Sequence, residues 1–171
     1  MEIKSSITIP FNLAEIQKYD ETNDKLKLRG NFFKLGKKYF EAATLIFPNF
    51  ELMDVTLVNI SFSCELLLKA ILFGFNKDFK KIHKLNELFK LLPESERNYI
   101  KENIAIDRKN EFDLCLQEQD NAFAQYRYLC EAKSIAGNYQ FLFAFAHILI
   151  FVYESLEKEM SLDISNPCGN I

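Results

Sequence analysis

The chain has 171 residues, near the usual size of one domain, and can bury a core without staples. Hydrophobic residues make up 49%, Phe occurs 17 times, Trp is absent, and only 5 Gly and 4 Pro interrupt the chain. So few breakers argue for long helices and against many short strands, and a formal net charge of −3 does not announce a nucleic-acid binder.

Residues 1–30 read as a polar lead-in, with Ile3, Ile7 and Ile9 as a short extended piece before Pro10. The first helix is expected from Asn31 to Phe47, where Phe32, Leu35, Tyr39, Ala42, Ala43 and Ile46 recur at helical spacing until Pro48. A second runs from Leu52 to Phe75 and is apolar nearly all round, which places it at the centre. A short third begins near His83 and ends at Pro93, and a fourth piece ends near Ile104. A long helix is expected from Glu111 to Ile135 with Leu114, Ala122, Tyr126, Leu129 and Ala132 inward, and a last one from Tyr139 to Met160. Residues 31–160 thus form one all-α, up-and-down antiparallel bundle of four to five helices, and 161–171 a tail. Val55–Phe75 and Phe141–Tyr153 read as core helices, not membrane spans. The first carries Glu65 and Lys69, and the second is too short for roughly 30 Å of hydrocarbon.

Two basic runs stand out, Lys25–Lys38 and Lys77–Lys84, and both read as solvated faces. The cysteines at 64, 115, 130 and 168 make no C-x-x-C pair, so the expectations are a reducing cytoplasmic compartment, no metal site and no cofactor.

Four features could carry chemistry. Glu65 and Lys69 stand one turn apart in an apolar helix, either as an internal salt bridge or as a ligand site. His83 follows the second basic run, either as an exposed helix-start imidazole or as a proton-transfer group. His147 lies in a core stripe and reads as a satisfied core histidine. Arg127 sits between Tyr126 and Tyr128, four residues before Glu131, where it can grip phosphate or pair inside the bundle.

Three segments, CELLLKAIL (Cys64–Leu72), HKLNELFKLLP (His83–Pro93) and FAQYRYLCE (Phe123–Glu131), in this order and spacing, resemble the HEPN domain family. The resemblance implies a helical bundle, often a homodimer, associated with RNA or nucleotides, and in many members a metal-independent ribonuclease of toxin or defence type. Cleavage of RNA by 2′-OH attack would need a base, an acid and a cation near the phosphate, which makes His83 and Arg127 the candidate catalytic residues, with Glu65, Lys69, Tyr128 and Glu131 as candidate ligand-binding residues. Two departures are visible. The family's His-Asp-Leu is here His83-Lys84-Leu85, and neither histidine follows an Arg by the four to six residues of the ribonuclease pair. The alternative reading is a non-catalytic helical module for dimerisation or for a partner protein.

Overall fold

The computed structural model describes residues 23–79, 81–106, 111–120 and 137–165. Among these residues the chain is helical, with no strand. The helices are α1 (Asn23–Ile46), α2 (Met53–Gly74), α3 (Leu85–Lys90), α4 (Glu94–Asn103), α5 (Phe112–Glu118) and α6 (Tyr139–Ser165), with a 3-10 turn, Phe50–Leu52, between α1 and α2.

α2 is the axis of the fold. Fifteen of its 22 residues are buried, including Leu57, Ile60, Cys64, Leu67, Leu68 and Ile71. Each such aliphatic side chain contributes roughly 1.5–3 kcal/mol on burial. α1 runs antiparallel to α2, with Phe32 beside Phe73 and Tyr39 edge-on to Phe62 at 4.8 Å. The crossing is close because Gly36 faces Leu66 and Leu67, and its carbonyl accepts the buried Ser63 hydroxyl at 2.8 Å. α6 lies parallel to α2 and antiparallel to α1. Cys64 Sγ donates to Leu142 O at 3.4 Å, Tyr139 Oη donates to Met53 O at 3.1 Å, and Phe33 stacks on Tyr153 at 3.9 Å. The Cys64 thiol is pushed above its ordinary range by complete burial.

The short helices close one side through aromatic contacts. Phe89 of α3, Phe112 of α5, and Phe141 and Phe145 of α6 form one cluster with centroids 5.1–6.0 Å apart. These spacings and mostly tilted angles suit the ring quadrupole. Among the described residues two helical stretches, Phe50–Gly74 and Tyr139–Lys158, are apolar enough to cross a membrane by length and composition, and both contribute to the core. Their apolar windows are 78% and 56% buried within the fold.

Several boundaries and burials differ from the sequence reading. α1 begins at Asn23, eight residues before the expected start, so the whole of the first basic run is helical. The helix expected from Glu111 does not run unbroken. α5 stops at Glu118, and Gln119–Asp120 turn away. The reason is tertiary: Asp120 caps α3, its Oδ1 accepting Asn86 N–H at 2.7 Å and its carbonyl accepting Leu85 N–H at 3.3 Å. Leu114, expected inward, is 52% exposed, while Phe112, Cys115 and Leu116 are buried. His147, expected in the core, is exposed, because Phe145, Ala146 and Leu149 face inward and leave position 147 on the outer side. The expected residues Ala122, Tyr126, Leu129 and Ala132 lie outside the described part of the chain.

Candidate functional site

The site is built from α2 upward. Glu65 and Lys69 are separated by one turn, and Lys69 Nζ donates to Glu65 Oε1 at 2.7 Å. Both side chains are almost fully enclosed, 3% and 9% exposed. Removing two charges from water costs several kcal/mol each, so such a pair persists only where its geometry is short and direct.

The loop after α2 brings His83 to the same carboxylate. Asn76 takes positive φ (50°) and Lys77 N–H donates back to Leu72 O at 3.1 Å, which reverses the chain. Phe79 then wedges edge-on against Phe32 at 6.0 Å and Phe73 at 5.7 Å. Lys81 takes a second positive φ (71°), and Ile82 N–H donates to Phe79 O. With the far side pinned by Asp120 at the start of α3, His83 is held between two fixed points. Its Nδ1 stands 2.8 Å from Glu65 Oε1, while its ring remains 70% exposed. Against an ionised carboxylate Nδ1 is the donor, which leaves Nε2 as the nitrogen that can take or return a proton.

The carboxylate is unevenly used. Oε1 receives both Lys69 and His83, whereas Oε2 is buried and has no donor among the described residues. A buried acceptor is costly unless a donor reaches it.

Beside it, the antiparallel pairing of α1 and α2 brings the start of α1 and the end of α2 to one end of the hairpin, where Lys27 and Lys77 are exposed. Lys34 and Lys38 are exposed farther along α1, level with the middle of α2, and Lys81 and Lys84 on the segment that leads to α3. A groove of about 360 Å³ at this end is lined by Leu28, Phe32, Phe73, Lys77, Asp78 and Phe79. Not every cation in the runs is a solvated face. Lys37 pairs with Glu154 at 3.1 Å, and Arg29 is 2% exposed, with its guanidinium 5.0 Å from the Tyr153 ring centre and 3.0 Å from Glu157. The Tyr153 hydroxyl is pushed up to about 12, chiefly by burial, with Arg29 opposing and Glu157 adding to the shift.

Of the residues the sequence singled out, Glu65, Lys69 and His83 are therefore brought together. Arg127, Tyr128 and Glu131 lie outside the described residues. His147 instead lines a separate apolar groove of about 680 Å³ with Phe47, Tyr139, Phe143 and Ile148. Among the described residues no three of His, Cys, Asp and Glu gather as metal ligands would. The buried Arg29 was hidden in sequence among six cations; its only signal was its place on the stripe of Phe33 and Phe40.

The described residues thus form an all-helical bundle with a buried Glu–Lys pair in its central helix, answered by a histidine ahead of a short helix. The sequence profile of the HEPN domain matches residues 31–147, more than half of the chain, and the chain belongs to that family. No curated protein and no solved structure matches it.

Proposed function

We propose that this chain binds RNA or a nucleotide at the Glu65–Lys69–His83 cluster, together with Arg127, Tyr128 and Glu131 of FAQYRYLCE. The observation that carries the reading is the half-used Glu65 carboxylate. An Oε2 that is buried and without a donor among the described residues, on a carboxylate whose other oxygen meets an exposed imidazole, suits a ligand group that brings its own hydrogen, such as a ribose hydroxyl or a base amine. Lys69 and Arg127 supply positive charge toward a phosphate, and Tyr128 a face for a base. His83 Nε2 is the group for proton transfer, should the bound RNA be cleaved. The absent Arg-x(4-6)-His pair makes binding, not cleavage, the primary expectation. The setting proposed is cytoplasmic and homodimeric.

The second reading is a non-catalytic interaction module. It is favoured by one fact: Lys69 is already engaged by Glu65. The two separate in one experiment. Binding and cleavage of single-stranded RNA, and binding of ATP, are measured for the wild type, His83→Ala and Arg127→Ala with EDTA present and folding checked by circular dichroism. Binding that falls tenfold or more in a folded variant supports the site. A wild type that neither binds nor cleaves removes it and leaves the cluster as core architecture.

A further inference from the structure

The turn between α1 and α2 sits at the opposite end of the hairpin from Lys27 and Lys77, and it is rich in exposed apolar side chains. Of the nine large hydrophobic side chains exposed among the described residues, five fall within eleven positions here: Leu45, Phe47, Phe50, Leu52 and Val55. Phe50 is 88% exposed and Leu45 81%. A helix–helix turn does not require a phenylalanine at its apex, and in water such a ring brings no stability.

The turn is also fixed. Asn49 N–H donates to Ile46 O at 2.9 Å, the Asn49 side chain accepts Glu51 N–H at 3.0 Å, and Leu52 N–H donates to Asn49 O at 3.0 Å. Thr56 Oγ1 then donates to Leu52 O at 3.0 Å. The backbone that carries Phe50 is thereby fixed with the ring in solvent, so docking there orders little backbone.

Charge selects the occupant. From Tyr39 to Leu68 the chain has no Lys, Arg or His, whereas Glu51 and Asp54 are exposed beside Phe50. That sign repels nucleic-acid phosphate and anionic lipid, and attracts cations. We infer that this turn is a docking surface for a partner protein, whose contacting segment is apolar and flanked by lysine or arginine. Phe50 enters the partner's apolar pocket, and Glu51 and Asp54 meet the flanking cations and hasten encounter. The surface shares no residue with the Glu65 cluster, so loss of one leaves the other standing.

The test places a photo-crosslinking phenylalanine analogue at position 50 of the full chain, in cells of its native host, with the analogue at exposed Leu114 as control. Adducts are identified by mass spectrometry. The captured protein is then titrated against wild type, Phe50→Ala and the Glu51→Lys/Asp54→Lys pair, each confirmed folded by its melting curve. The expected result is one protein adduct specific to position 50, joined at an apolar segment next to Lys or Arg. Its affinity falls at least tenfold in both variants and weakens with salt for the wild type. No adduct above the Leu114 control, an adduct to lipid, RNA or a second copy of this chain, or an affinity that both variants keep, overturns the inference.

Discussion

Lys69→Met removes the ammonium from the buried pair while keeping the aliphatic stem that packs in α2. Among the described residues Glu65, 3% exposed, then keeps only His83, and that bond comes from a ring largely in water. Breaking a buried ion pair from one side costs about 3–5 kcal/mol. The retained histidine sets the expectation at the lower end, about 3 kcal/mol, or a fall in Tm of about 10 °C for a domain this size. The companion variant, Glu65→Leu/Lys69→Met, takes out both charges and lies within about 1 kcal/mol of wild type or above it, because apolar replacement of a whole buried pair is often neutral or stabilising. Urea unfolding followed by circular dichroism measures all three proteins, with the Glu65→Leu single closing the cycle. A Lys69→Met cost below about 1 kcal/mol, the size seen for exposed pairs, would refute the argument that Glu65 is stranded in the core.

Other outcomes follow from local geometry. Gly137→Ala places a Cβ 2.5 Å from Leu57 Cδ2 and 2.7 Å from Cδ1, where fully buried Leu57 has no room to give, and loses about 1–3 kcal/mol in the same unfolding assay. Lys81→Gly relieves a left-handed residue at φ 71° on the exposed loop and gains about 1 kcal/mol; a loss would show that the lysine side chain holds the loop. Tyr153 holds its proton more tightly folded, at about 12 against an ordinary 10, so its contribution is whole below pH 10 and is lost as pH rises from 10 to 12. Unfolding free energy of the wild type therefore falls over that window relative to Tyr153→Phe, by up to roughly 2–3 kcal/mol. Parallel curves for the two proteins would contradict it.

The long helices and the charged pair were legible because both are local patterns. α2 announces itself as an apolar stretch of helix length, and Glu65–Lys69 as two charges at one-turn spacing within it. What escaped depends on partners distant in sequence. Nothing around Gln119 and Asp120 says that their turn is needed to cap α3, so the stripe around them read as one unbroken helix. The path of His83 is set by Phe79 lodging between two helices and by positive φ at Asn76 and Lys81, neither written in the local pattern. His147 sits in so apolar a stretch that periodicity alone could not say which side it takes. Arg29 hid because a cation in a basic run reads as solvated until Tyr153 and Glu157 arrive from α6.

The near-total burial of α2 also bears on synthesis. The helix ends at Gly74, but α6, which covers one of its sides, ends only at Ser165. At about 5–20 residues per second the ribosome needs roughly 5–20 s to make the intervening stretch. Throughout that interval a helix apolar enough to pass for a membrane span has α1 as its main shelter. The nascent hairpin therefore exposes the face of α2 that α6 later covers, and the order of synthesis makes that exposure last for seconds.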